Sequence, residues 1–489
     1  MHLIQQSGNN KMNNNIMNTR RDYSEYCPNG FLLCKQNVDI KWEYKSFGSY
    51  YFYYSETTEY HIHTQNDLQV LVIGNAYDLN TNDKNRRITE IIAEKFNNSF
   101  NDTVEYITYL AGRFLIILRN GNNLSIFPDS HCTYACYWSD KIKNVFTSHL
   151  QIFKDYWKIE TNEILSSIMN HEDYISPGGK YFPATLTPLQ NIYPLIANCF
   201  ISHHEDNTEH KRFYPHISLH EKYKGYNKDI IYLLFKNYLL NYFKNIYEPN
   251  NTYISLTNGL DSRAILSIAL MANLKVDTFT YTKFGGDYPH YEKDLVGASK
   301  CATHAGYPHF ILFLPQLDYG NDFYKMYSKT FSLHARFPVL AQAYYQQLPV
   351  KSNVLISTIS ETGTVFYAER SEKNITPEVL AQKWSTSKIH TNGLVLEAFD
   401  EYIDYTEFHL SKLYDFDFYD LYYWEHRNSK WANIWYQECD LSHKVILPFN
   451  CRLINELMLA LSFEDRKSKY LLNRLIKDAG LSYLPDFYA

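Results

Sequence analysis

Leu256-Thr257-Asn258-Gly259-Leu260-Asp261-Ser262 gathers two hydroxyls, a glycine and a carboxylate into one short segment. An apolar, β-rich run, Tyr253-Ile254-Ser255-Leu256, leads into it, and a helical pattern leads out. A strand-turn-helix junction of this kind collects free backbone N–H groups and a helix N-terminus around one point, which suits an anion. Thr257, Ser262 and the backbone at Gly259 are expected to hold phosphate oxygens. Asp261 cannot bind phosphate directly, but it can hold Mg²⁺ against it. The chemistry on offer is that of a Mg-nucleotide. Spacing alone leaves a second reading open, because capped strand-turn-helix units are common and most bind nothing. The segment is not a Walker loop, since no Gly-Lys-Ser/Thr follows Gly259, and its single glycine excludes a dinucleotide fingerprint.

The surrounding elements must hold this loop at the end of a sheet. Strands are predicted at 253–256, 276–282, 310–314 and 354–358, with helices at 262–272, 291–305 and 338–347. A helix at 229–246 precedes them. Strands alternating with helices at this spacing imply a parallel, doubly wound sheet, in which ligands bind at the carboxyl ends of strands near the switch point. Beyond Pro377 the pattern reads as helices. Residues 23–156 read differently, as short apolar or aromatic runs at 49–54, 68–73, 114–118, 124–127 and 145–148, with a helix at 87–96. That is the signature of an antiparallel β domain. The polar, His-rich stretch 202–224 is the expected domain junction.

Composition bounds the rest. A chain of 489 residues, 45% of them hydrophobic, builds two or three domains with sizeable cores. The net charge of −6 gives no electrostatic footprint for nucleic acid. The abundance of tyrosine, 45 residues, reads first as genome bias. The eight cysteines are scattered without a CxxC pair, and His131, Cys132 and Cys136 match no zinc pattern. Reduced, structural thiols in a cytoplasmic protein are the expectation. No stretch is long and apolar enough to span a membrane, and the Asn-rich residues 1–18 lack a hydrophobic signal core.

The loop resembles the pyrophosphate loop of the asparagine synthetase family, whose pattern is Ser-Gly-Gly-x-Asp-Ser. Thr257 stands for Ser and keeps the hydroxyl. Asn258 stands for Gly, and Asn tolerates positive φ well enough to keep the loop's shape. The N-terminal half carries Leu110-Ala111-Gly112-Arg113-Phe114, Phe127-Pro128-Asp129 and Val145-Phe146-Thr147-Ser148, in the order found in the family's glutaminase domain. The family's nucleophile is a cysteine at the mature N-terminus, whereas here residue 2 is His and the first cysteine is Cys27. The Asn-Gly of the glutamine pocket is altered to Gly74-Asn75. These departures imply a glutaminase-like scaffold that no longer hydrolyses glutamine.

The match to the synthetase domain covers residues 212–484. Tyr291-Glu292-Lys293-Asp294 leads into a helix, as in the family. The family's Gly-Gly-Asp-Glu is replaced by Ser357-Thr358-Ile359-Ser360-Glu361, leaving Glu361 as the partner of Asp261 on Mg²⁺, with a solvated loop carboxylate as the other reading. Leu447-Pro448-Phe449-Asn450-Cys451-Arg452-Leu453 resembles a late helical motif read as structural. A catalytic lysine of the family has no assignable counterpart; Lys477 reads as a solvated helix residue. Tyr423-Trp424-Glu425-His426-Arg427 places Glu425 and Arg427 either along a substrate pocket or in an internal ion pair.

The resemblance thus implies an α/β two-domain protein. Residues 1–20 would be a flexible leader, and 21–205 a glutaminase-like α+β sandwich of the N-terminal-nucleophile type. Residues 206–489 would be a doubly wound parallel-sheet ATP pyrophosphatase (PP-loop) domain with a helical tail. ATP and Mg²⁺ are the implied cofactors. Leu256, Thr257, Asn258, Gly259, Asp261 and Ser262 would bind the nucleotide, and Asp261 and Glu361 would hold the metal and carry the catalysis. The implied activity is ATP-dependent amide formation through an acyl-adenylate, with release of AMP and pyrophosphate. Its partners would be a small-molecule or peptide carboxylate and a substrate amine or ammonia, not a nucleic acid or a membrane, and a homodimer is compatible with it. Relatives such as β-lactam synthetases and lasso-peptide cyclases favour a biosynthetic tailoring role. A nucleotide-binding scaffold without turnover and a nucleotide-dependent transferase stay open.

Overall fold

The computed structural model describes residues 26–175, 181–283 and 289–482. The leader assigned to 1–20 and the residues 484–489 lie outside the described residues.

Twelve short strands build the N-terminal half. They are β1 (Phe31–Cys34), β2 (Glu43–Phe47), β3 (Tyr50–Tyr54), β4 (Tyr60–Gln65), β5 (Leu68–Tyr77), β6 (Ala111–Asn120), β7 (Asn123–Pro128), β8 (Tyr137–Ser139), β9 (Val145–Thr147), β10 (Ile192–Pro194), β11 (Cys199–His204) and β12 (Asn207–Arg212). They form two six-stranded antiparallel sheets, ordered β10-β8-β9-β1-β3-β2 and β12-β11-β7-β6-β5-β4. Side chains alternate along each strand, so each strand serves two cores. Leu71 and Ile73 of β5 meet Phe31, Leu33 and Phe52 between the sheets. Val70 and Val72 point the other way, against Ile88 and Ile92 of the helix Arg86–Asn98. On the far side Leu32 and Cys34 pack against Ile152 and Phe153 of the helix Leu150–Trp157. The result is a sandwich of helix, sheet, sheet and helix.

The C-terminal half holds five parallel strands, β13 (Thr252–Ser255), β14 (Asp277–Thr282), β15 (His309–Phe313), β16 (Asn353–Leu355) and β17 (Lys444–Ile446), ordered β15-β14-β13-β16-β17. The chain runs outward from β13 through β14 to β15, then returns to lay β16 on the other side of β13. The strand order reverses between β13 and β16, so the switch point of the parallel sheet lies there. β17 went unpredicted because three residues ahead of Pro448 carry too little pattern. The helix Asp322–Phe331 was also unpredicted.

The domain boundary needs correction. β12 pairs with β11 along its whole length, so the sandwich runs through Arg212 instead of ending at 205. The helical tail does not stay with the parallel sheet either. Leu380, Phe399, Tyr402 and Trp424 share a core with Phe31 and Leu115 of the sandwich. Two motifs quoted above meet at this junction. Gly112 N–H donates to the Asn450 carbonyl at 3.1 Å, and Asn450 Nδ2 returns a bond to the Gly112 carbonyl at 2.7 Å. Gly112 has φ +112°, and a Cβ there would lie 2.2 Å from the Asn75 carbonyl oxygen, so glycine is required.

Candidate active site

Asp261 and Glu361 come together at the switch point. Asp261 sits in the first turn of the helix Leu260–Met271, which follows β13. Glu361 sits in a single 3₁₀ turn, Ser360–Gly363, which follows β16. Since β13 and β16 pair in parallel, both carboxylates project from the carboxyl edge of the sheet. Ser360 Oγ donates to Asp261 Oδ1 at 2.8 Å and ties the two loops together. Burial and the facing Asp261 carboxylate push the Glu361 carboxyl above its usual range. Two carboxylates held this way repel each other unless positive charge lies between them. No third His, Cys, Asp or Glu completes a metal cluster among the described residues. Two carboxylates suit Mg²⁺, which keeps waters and takes phosphate oxygens for its other positions.

The turn that carries Glu361 is bracketed by strain. Ile359 has φ 71° and Val365 has φ 58°. Both are β-branched residues in the left-handed region, a placement that costs of order 1–3 kcal/mol each and clusters at functional sites. Packing holds them, since both are buried.

The loop itself is closed by its own side chains. Thr257 N–H donates to Ser262 Oγ at 3.0 Å, and Gly259 N–H donates to Thr257 Oγ1 at 3.1 Å. The two hydroxyls lie 3.1 Å apart. Asn258 N–H donates to Asp294 Oδ1 at 3.0 Å, which gives Asp294 of the quoted Tyr291–Asp294 motif a loop-holding role. Leu256 N–H bonds the Phe279 carbonyl of β14 and anchors the strand end. The donors that remain for an anion are those of the helix start: its N-cap residue, Gly259, supplies no side-chain cap. Asn258 does not adopt a positive φ, so its tolerance for that conformation is not what preserves the loop. Its side chain is instead buried against Gly297 of the helix Pro289–Ala305, where a Cβ would lie 2.1 Å from Asn258 Oδ1. Asn258 Nδ2 is buried without a hydrogen-bond partner.

Two residues at the site were not singled out for it by the sequence. Lys469 Nζ lies 3.5 Å from Asp261 Oδ2. Tyr423 OH donates to Glu361 Oε2 at 3.3 Å. Lys469 belongs to the basic run Arg466-Lys467-Ser468-Lys469, which spacing does not set apart from a solvated surface. Lys477 is exposed on the helix Tyr470–Asp478.

The cluster 423–427 divides by side. Glu425 forms a buried, bidentate pair with Arg212, both contacts at 2.7 Å. Arg427 faces the other way, 4.9 Å from the ring centroid of Phe366, which in turn lies 4.4 Å from the Tyr423 ring.

In the sandwich, Cys27 is fully buried and its backbone N–H donates to Thr330 Oγ1 at 3.1 Å. Such a thiol is not placed for attack on a substrate. Cys132 and Cys136 are buried too, and His131 bonds Asn450 and Thr362. A cavity of about 610 Å³ is lined by Asn29, Gly74, Asn75, Arg113, Asn353 and Lys444. Asn353 and Lys444 begin β16 and β17, so this cavity opens at the amino edge of the parallel sheet, opposite Asp261. Among the described residues, no helix is long and apolar enough to cross a membrane.

Neither a protein-family model nor a curated protein matches this chain. Among solved structures it is similar to NMN synthetase from Francisella tularensis, with 12% identity, 37% of this chain and 73% of that one covered, and a TM-score of 0.19. It is also similar to glutamine phosphoribosylpyrophosphate amidotransferase from B. subtilis complexed with ADP and GMP. There the identity is 9%, the coverage 52% of this chain and 72% of that one, and the TM-score 0.22. Scores this low do not bear on the fold, which rests on the chain's own strand order.

Proposed function

We propose that this protein is an ATP-dependent amide ligase that activates a carboxylate as its acyl-adenylate, releases pyrophosphate, and lets an amine displace AMP. One observation carries the reading: the Ser360–Asp261 bond that joins the two loops at the switch point and sets Asp261 and Glu361 side by side. The direct condensation fails at neutral pH because O⁻ is a poor leaving group. Activation on the α-phosphate of ATP removes that barrier, provided the site holds pyrophosphate and excludes water. The uncapped N-terminus of the helix Leu260–Met271 would hold pyrophosphate, assisted by Thr257, Gly259 and Ser262. Asp261 and Glu361 are the residues that would hold Mg²⁺, which neutralises phosphate charge and orients the α-phosphate. Lys469 adds a positive charge beside Asp261 for the phosphates. With Cys27 buried, the amine would be a substrate amine or free ammonia and not glutamine nitrogen.

A second reading has its own support. The Thr257–Ser262 loop satisfies its own N–H groups, as a loop without a ligand would. A scaffold that binds nucleotide without turnover fits that closure. ATP–pyrophosphate exchange over a panel of carboxylates separates the two. Exchange that disappears in Asp261→Asn supports the ligase, and Mg-ATP binding with no exchange on any carboxylate supports the scaffold.

A further inference from the structure

Arg336 is a buried charge whose side chain has no hydrogen-bond acceptor. It is 5% exposed, yet none of its three side-chain nitrogens has a hydrogen-bond partner. A buried guanidinium without acceptors is costly, and native proteins rarely keep one without use. The nearest acidic group does not serve it. Glu438 spends its oxygens on the backbone N–H of Arg336 at 2.6 Å, the N–H of Phe337 at 2.9 Å and the Tyr327 hydroxyl at 2.5 Å.

A second guanidinium sits beside the first. Arg336 lies 4.0 Å from the ring centroid of Trp431, and Arg427 lies 5.1 Å from the same ring. Burial, with Arg427 adding repulsion, pushes the Arg336 pKa down to about 9. Two like charges sharing one aromatic ring are unfavourable unless an anion joins them. Arg427 is half-buried and Phe366 is 43% exposed, so the pair has a side open to solvent.

This pair is also connected to the candidate active site. Tyr423 donates to Glu361, the Tyr423 ring packs at a tilt against Phe366, and Arg427 lies over the Phe366 ring. Tyr423, Arg427 and Trp431 share one wide π-helical segment, Tyr423–Ala432, which places them in succession along it.

We propose that Arg336 and Arg427, lying against Trp431 and Phe366, bind the carboxylate of an aromatic or apolar acyl substrate. The assignment rests on the ligase reading and names its substrate class. Guanidinium forks match a carboxylate in two parallel hydrogen bonds, and the flanking rings match an apolar body behind it.

The test uses the full chain and phenylacetate as probe, with neutral phenylacetamide and inorganic phosphate alongside, all by titration calorimetry. Phenylacetate should bind at least tenfold more tightly than either control. Arg336→Met and Arg427→Gln should each weaken it at least tenfold. The Tm of Arg336→Met should stay level or rise, because an unsatisfied buried charge is removed. Equal binding of phenylacetate and phenylacetamide, tighter binding of phosphate, or no binding at all would overturn the proposal. So would a lowered Tm in Arg336→Met with phenylacetate affinity unchanged, since Arg336 would then be a structural partner of Glu438. A thermal shift with Mg-ATP, measured on the same samples, reports on the ligase reading separately. Loss of that shift with phenylacetate bound would sink the ligase reading and leave the carboxylate site standing.

Discussion

Asn258 and Gly297 are fitted to each other: a Cβ on Gly297 would lie 2.1 Å from Asn258 Oδ1 and 2.6 Å from Asn258 Cβ. The Asn258 side chain is housed by a glycine in the neighbouring helix. That relationship makes Asn258 a packing contact between the loop and the helix Pro289–Ala305.

The pair predicts a sign reversal. Gly297→Ala in an otherwise native chain should destabilise by about 1–3 kcal/mol, because overpacking against Asn258 outweighs the helix propensity gained. In an Asn258→Gly background the same substitution should stabilise by up to about 1 kcal/mol. Urea unfolding of the four proteins in this cycle gives the coupling energy. A coupling near zero would mean that the helix Pro289–Ala305 moves aside freely.

Glu361→Gln should act in two opposite directions. Without Mg²⁺, it removes one of two facing, largely buried carboxylates, so the Tm should rise by a few degrees. The amide still reaches Tyr423, whose hydroxyl lies 3.3 Å from Glu361 Oε2. With Mg²⁺ and ATP, the variant should lose most of the thermal shift of the parent, since a ligand for the metal is gone. A variant that is less stable alone but keeps the full Mg-ATP shift would contradict the metal role.

The parallel sheet was legible because β13, β14, β15 and β16 are separated by helices of ordinary length, and their apolar runs have the right size. β17 was not legible, because Lys444-Val445-Ile446 becomes a strand only through its partner β16. The placement of Asp261 at a strand-turn-helix junction could be read from spacing. Lys469 and Arg336 could not, because each lies against a neighbour distant in sequence, Asp261 and Trp431 respectively. The boundary at 205 failed for a local reason. Asn207–Arg212 alternates polar and charged residues with its side chains half outside, so it reads as a linker although it is an edge strand.

Three buried histidines predict acid sensitivity. Burial holds His131 and His149 down at about 3, and puts His426 well below its usual value. His426 has no partner on either ring nitrogen and stacks on Tyr422 at 4.8 Å. All three stay neutral in the folded chain while the unfolded chain protonates near pH 6.5. Stability is therefore undiminished above about pH 6.5 and falls as the pH drops below it. Each histidine contributes up to about 1.4 kcal/mol per pH unit to that fall. Unfolding at pH 5.5 should take up about three protons from these groups alone. Proton release measured in a pH-stat, or none taken up, would refute the burial argument.

Glu425 and Arg427 are two residues apart, and their variants should behave in opposite ways. Glu425 is fully buried and bonded to both terminal nitrogens of Arg212, with a further bond from Asn198 Nδ2 at 2.9 Å. Glu425→Gln leaves the Arg212 charge buried without its counter-ion, so the chain should lose about 3–5 kcal/mol of stability. Arg427 is half-buried and packs on the rings of Phe366 and Trp431 without a carboxylate partner among the described residues. Arg427→Gln should change stability by less than about 1 kcal/mol. Its cost should fall on exchange activity, through a raised KM for the carboxylate. Denaturant unfolding and steady-state exchange on the same two proteins separate the effects. The division fails if Arg427→Gln unfolds the chain as readily as Glu425→Gln, because both would then belong to one structural network.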